Sequence, residues 1–80
     1  MHTVASMKTT PYFRNTVQVK RPYVTEALCR QVIDQAVRRE EQPDGRIRYW
    51  GRAGERWLRV VLLADDETLH NAFFDRRFTP

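Results

Sequence analysis

The chain predicts an α+β fold in which one main amphipathic helix packs on a small antiparallel sheet, a three-stranded meander with an N-terminal strand or extended arm before it. Three observations carry this reading. Apolar residues recur at helical spacing from Leu28 to Val37, the period changes to two after a turn at residues 42–45, and three strand-like runs joined by short connections follow. With 80 residues the chain makes a single domain. A chain of this size buries only about 60% of the surface it exposes when unfolded, so its core must be small.

Residues 1–10 are polar and aperiodic, and they read as a tail outside the fold, leaving residues 11–80 as the domain. Over residues 12–21, Phe13, Thr16, Val17 and Val19 alternate loosely with Arg14, Asn15, Gln18 and Lys20, the pattern of a short strand or arm. Pro22 ends that segment because it has no N–H to donate. Thr25 is a good helix N-cap and Glu26 suits the positive end of the helix dipole. Leu28, Val32, Ile33, Ala36 and Val37 form one stripe, so a helix is expected over residues 26–39, with Arg38 and Arg39 at its negative end. Pro43, Asp44 and Gly45 then give a tight turn.

Beyond the turn, Arg46, Arg48 and Trp50 alternate with Ile47 and Tyr49, as in a half-buried strand. Residues 51–56 read as a glycine-containing loop. Residues 57–63 are apolar on both sides apart from Arg59, which suits a central strand covered on both faces. An acidic turn at residues 64–67 leads to a last strand over residues 68–75. The helix stripe covers one face of such a sheet and leaves the arginine-bearing face partly open.

The formal charge is +4, and every basic residue except Lys8 and Lys20 is arginine, whose planar fork grips phosphate and carboxylate. The expected partners are therefore RNA or an acidic protein. A lone cysteine, Cys29, excludes an internal disulfide and a cysteine zinc cage. No signal-like or membrane-length apolar run is present, so a cytoplasmic protein without membrane contact is expected. Phosphate-cradling glycine loops, paired metal ligands and nucleophile elbows are missing, and neither metal nor cofactor is expected.

Chemistry then falls to the basic face. Between Arg46 and Arg59 five arginines stand against one acid, Glu55. RNA cleavage without metal needs a group to deprotonate the ribose 2′-hydroxyl and cations to stabilise the charged transition state. His70 titrates near neutrality and is the candidate for the first, and Arg48, Arg59 and Arg76 are candidates for the second. Arg46, Trp50, Lys20, Arg21, Asn71 and Arg77 are the candidate RNA-binding residues, Trp50 as a ring on which a base stacks. His70 and Asn71 are neighbours in a strand and face opposite ways unless a bulge intervenes. A charge as central as Arg59 needs a fixed partner, either Asp75 or a ligand phosphate.

In order, VTEALCRQVIDQAV, DGRIRYWG, WLRVVLL and LHNAFFDRRF resemble the layout of small bacterial toxins of the RelE/ParE-type and BrnT-like class. The same layout extends to related proteins that share a "GR…Y.G" strand, an "LRVV" strand and a final "T..A" strand. The resemblance covers roughly residues 20–78. It implies a microbial-ribonuclease-like fold, metal-free cleavage of messenger RNA, and inhibition by a small acidic antitoxin that covers the basic face. By position it matches Arg48 and Arg59 to the family's central-strand cations, and His70, Arg76 and Arg77 to its residues near the end of the last strand. The other reading of the same face is a non-catalytic module docking an acidic protein or a nucleic acid.

Overall fold

The computed structural model describes residues 7–80, and residues 1–6 lie outside the described part. Five strands form one mixed sheet: β1 (Lys8–Thr9), β2 (Arg38–Glu41), β3 (Ile47–Ala53), β4 (Arg56–Leu62) and β5 (Thr68–Phe74). Their spatial order is β1-β5-β4-β3-β2. β1 runs parallel to β5 and every other neighbour pair is antiparallel. Two short helices complete an α+β architecture. The first is π-helical over Phe13–Val17 and continues as α1 (Gln18–Lys20), and the second is α2 (Glu26–Asp34).

The first helix stands where a strand or arm was expected, and its start is written in the sequence. The Thr10 hydroxyl accepts from the Phe13 N–H at 3.1 Å, which is an N-cap bond, and Pro11 follows at the position where a missing N–H costs nothing. Phe13 and Val17, one turn apart, are both fully buried. Burying a side chain such as Phe13 contributes about 1.5–3 kcal/mol, enough to override the β-branched residues Thr16, Val17 and Val19 that favour a strand locally. Thr10 also donates its backbone N–H to the Leu69 carbonyl at 3.0 Å, continuing the β1–β5 ladder. Lys8 and Thr9 therefore belong to the fold and not to the expected tail.

α2 begins as expected, with the Thr25 hydroxyl accepting from the Leu28 N–H at 3.0 Å. It ends at Asp34, earlier than the sequence pattern predicts. The Val37 N–H donates to the Trp50 carbonyl, and Arg38–Glu41 then pair along β3 as a fourth antiparallel strand. This run is exposed throughout and fully charged, which is how edge strands avoid unwanted pairing. The sheet thus has two strands beyond the expected meander. Gly45 (φ +91°) turns the chain between β2 and β3. β3 runs further than expected, through Ala53, because Ala53 pairs with Arg56 and only Gly54 and Glu55 remain in the loop.

Both helices lie on one face of the sheet. There Phe13, Val17, Val24, Cys29 and Val32 pack against Leu58, Val60, Leu62, Leu69 and Ala72. Burial, followed by the Glu26 charge, pushes the Cys29 thiol up to about 12, so it remains a protonated apolar filler. The closest approach is at Gly51 of β3, where a Cβ would stand 2.8 Å from the Val32 carbonyl oxygen and 3.0 Å from its Cγ1. Glycine is the residue that lets α2 rest directly on the strand. Gly51→Ala forces helix and sheet apart and is expected to lower stability by about 1–3 kcal/mol, read as a lower urea midpoint with an unchanged slope.

Candidate functional site

The face away from the helices carries the chemistry. On it, Arg48 stands opposite Val61, Trp50 opposite Arg59, and Arg52 opposite Trp57, while Asn71 and Phe73 of β5 stand beside Val61 and Arg59. The face has two halves, divided at Arg59.

In the first half is a cavity of about 270 Å³ lined by Tyr12, Arg46, Arg48, His70 and Asn71, with Arg59, Val61 and Phe73 as its floor. Its existence depends on a β-bulge. Val61 pairs with Asn71, but the next residue, Leu62, pairs with Leu69, so His70 is an extra residue in the ladder. Regular alternation would send His70 and Asn71 to opposite faces. The bulge lets both line the same cavity.

His70 is held from the far side of the cavity wall. Its Nδ1 lies 3.0 Å from the Thr10 hydroxyl, and its ring packs against Tyr12 with centroids 5.1 Å apart and a 31° tilt. Because the Thr10 oxygen already accepts from the Phe13 N–H, its own proton is free to bond a bare Nδ1, and its second lone pair is free to accept an Nδ1–H. The contact therefore serves either tautomer. Partial burial, followed by the charge of Arg46, lowers the His70 pKa below its ordinary value, so the imidazole is neutral at neutral pH and free to take a proton. The Asn71 side-chain oxygen accepts from the Ala72 N–H at 2.8 Å.

Two cations serve this cavity without a tight partner. Arg46 lies 3.9 Å from Asp44 in an exposed pair, which is worth little in water. Arg48 forms no ion pair among the described residues. Arg59 differs. Its Nε and Nη2 both donate to Asp75 Oδ2, at 3.1 and 2.6 Å, and the same oxygen accepts from the Trp50 indole N–H at 3.0 Å. The pair is 23% and 11% exposed, and the guanidinium lies 4.7 Å from the centre of the Phe73 ring. A guanidinium committed in this way shapes the cavity floor by its position. Its charge is already countered by Asp75.

In the second half the chain leaves β5 and folds back across the sheet. The Arg77 N–H donates to Asp75 Oδ1 at 3.1 Å, turning the chain so that Phe78 stacks on Trp50 with centroids 5.2 Å apart and 9° between planes. Trp50, expected to offer an open ring, is only 5% exposed as a result. Other expected contributors are elsewhere. Arg76 lines a separate cavity with Arg56 and Trp57, beyond the far end of β5 from His70. Lys20 ends the first helix and Arg21 follows it, and neither lines these cavities, while Arg77 stands beside Phe78 in the second half. Thus Arg46, Arg48, Arg59, His70 and Asn71 meet in one cavity, and Arg76, Arg77, Lys20, Arg21 and Trp50 do not join them. Tyr12 and Thr10 join the site although neither is among the residues the sequence points to. The Thr10–Pro11 helix start was the available signal, because it places the next turn of chain against the sheet edge.

Among the described residues no three His, Cys, Asp or Glu side chains group closely enough to hold a metal ion, and no helix is long and apolar enough to cross a membrane.

The Asp75 carboxyl lies below its ordinary pKa because the Trp50 indole and then the Arg59 guanidinium bond its charged form. Stabilisation of this sign is present above the unfolded carboxyl value of about 3.9 and is lost as pH falls through the lower folded value. Asp75→Asn is expected to cost about 1–3 kcal/mol at pH 7, by leaving Arg59 without its countercharge, and the gap from wild type should narrow in acid. Urea titrations of both proteins at pH 7 and pH 3 check this. Compared with known protein families, characterised proteins and solved structures, the chain matches none.

Proposed function

We propose that the protein is a metal-independent endoribonuclease, the toxin of a type II toxin–antitoxin pair, with its active site in the Tyr12–Arg48–His70 cavity. The observation that supports it is the bulge in β5, which turns His70 and Asn71 together toward Arg46 and Arg48. The toxin assignment adds the resemblance in layout, under which a small acidic antitoxin covers this positive face.

In the reaction the ribose 2′-oxygen attacks the adjacent phosphorus, and His70 Nε2 takes its proton. The P–O5′ bond breaks, the leaving oxygen takes a proton from solvent water, and a 2′,3′-cyclic phosphate and a 5′-hydroxyl result. Arg48 and Arg46 bind the non-bridging phosphate oxygens as charge builds on them, Arg48 being the nearer to an unshared fork. Thr10 supports Nδ1, so that Nε2 is the nitrogen presented to the cavity.

The test is incubation of purified protein with RNA in excess chelator. Wild type is expected to cut and to leave a cyclic phosphate end. His70→Ala should lose about 10²–10⁴-fold in kcat, and Arg48→Ala should also be impaired. Because His70 acts as a neutral base with a lowered pKa, kcat/KM should hold through neutrality and fall on the acid side, below the ordinary histidine value of about 6.5. No cleavage by wild type, or equal cleavage by the variants, overturns this assignment.

The commitment of Arg59 to Asp75 and the placement of Arg76 elsewhere favour a second reading, because of the three cations expected for catalysis only Arg48 is left unpaired in the cavity, with Arg46 beside it. A non-catalytic module docking RNA or an acidic protein through the same cavity needs no more than these. It predicts binding without cleavage and no growth defect on expression.

A further inference from the structure

We propose that the slot formed by Trp50 and Trp57 is a nucleobase subsite, and that Phe78 occupies it in the free protein. The proposal rests on the reading of this sheet face as RNA-binding and extends it to the half that lies beyond Arg59.

Phe78 is held as a base of single-stranded RNA is held. Its ring is nearly parallel to Trp50, meets Trp57 edge-on with centroids 5.1 Å apart and 69° between planes, and has the Arg38 guanidinium 5.0 Å from its centre. A stacking ring, a second aromatic wall and a guanidinium are the set that holds unpaired bases regardless of sequence. Open space of about 300 Å³ adjoins the ring, bounded by Arg38, Glu40, Arg59 and Arg77. Arg59 lines both this space and the His70 cavity, so a strand laid across the face passes from the phosphate-binding arginines to the slot without leaving the sheet.

The occupant is lightly tethered. Residues 75–80 carry no strand or helix, and the backbone bond of Phe78, from its N–H to the Asp75 carbonyl, is long at 3.4 Å. What keeps Phe78, a residue 9% exposed, in place is the packing of its ring, and a base that stacks on Trp50 supplies the same contact with a larger π-surface. Asp75 is anchored independently through Arg59 and Trp50, so Phe78 can swing out while the turn before it stays. A slot filled by its own chain binds a ligand more weakly in proportion to the fraction of time it is open.

Trp50 and Trp57 are the chain's only tryptophans, so intrinsic emission reports on this slot alone. The probe is a fluorescein-labelled single-stranded DNA of about ten nucleotides, which spans a site of this class and lacks the 2′-hydroxyl needed for cleavage. Phe78→Ala and the milder Phe78→Leu, each checked for native circular dichroism, are expected to bind it about fivefold more tightly than wild type. Saturating unlabelled oligonucleotide should quench tryptophan emission in all three proteins. Unchanged or weaker binding by folded Phe78→Leu, emission that ignores saturating oligonucleotide, or no binding by any form overturns the proposal. Binding that drops on Arg48→Ala but ignores Phe78 overturns the slot and leaves the groove standing. Tighter binding by Phe78→Leu from a protein that never cuts RNA supports the slot and overturns only the cleavage reading.

Discussion

Asp75 stands where β5 ends, and one of its oxygens takes both donors of Arg59 and the indole N–H of Trp50. The rest of the open face follows from that carboxylate. Arg59 projects from the central strand onto a surface of Trp50, Phe73 and Val61, where an unpaired charge would be costly. Asp75 neutralises it at that point, and its second oxygen bends the chain through Arg77 so that Phe78 reaches Trp50. One side chain therefore fixes the central guanidinium, starts the return of the tail, and divides the sheet face into a covered half and an open one. It also decides which arginines face a ligand. Arg52 and Arg56, which a count of charges would include, lie over the Trp57 and Phe74 rings, 4.4 and 3.7 Å from their centres. Arg46 and Arg48 remain for the cavity.

Thr10 plays a comparable part at the opposite edge. Its backbone N–H extends the β1–β5 ladder, and its hydroxyl caps the first helix and touches His70 Nδ1. The residue that starts the helix thereby sets the histidine beneath it, and the next residue but one, Tyr12, becomes a wall of the cavity while remaining 46% exposed. Fold and site are coupled through one short stretch of chain. The helix covers the core with Phe13 and Val17 and turns toward the groove with Tyr12, because a first helical turn presents residues to opposite sides within a few positions.

Much of the architecture was legible in local pattern. The Thr25 cap, the stripe as far as Ile33, the turn at Asp44 and Gly45, and the apolar run of β4 each carry their own signal and form their element in the structure, whereas Ala36 and Val37 lie beyond the end of α2. The first helix looks like a strand in the sequence for a physical reason. Its eight residues hold only two buried positions and several β-branched side chains, so period and propensity both resemble a strand, while the Thr10–Pro11 start and the Pro22 stop are the signals that matter. The first half of β2 reads as helix in the sequence because Arg38 and Arg39 suit a helix end as well as they suit a charged edge strand. Pairing with β3 resolved it, and pairing is not a local property.

By itself the sequence determined the class of the fold, the basic character of one sheet face, and the small set of residues from which a site can be made. Composition and short-range periodicity carry those, since each depends only on neighbours along the chain. The tertiary structure decided which members of that set meet. An extra residue in the β5 ladder joins His70 to Asn71, the turn at Asp75 removes Arg59 and Trp50 from free exposure, and the first helix adds Tyr12 and Thr10. These are matters of register and of long-range contact. A shift of one residue in pairing reverses every side chain it touches, and no local pattern records it.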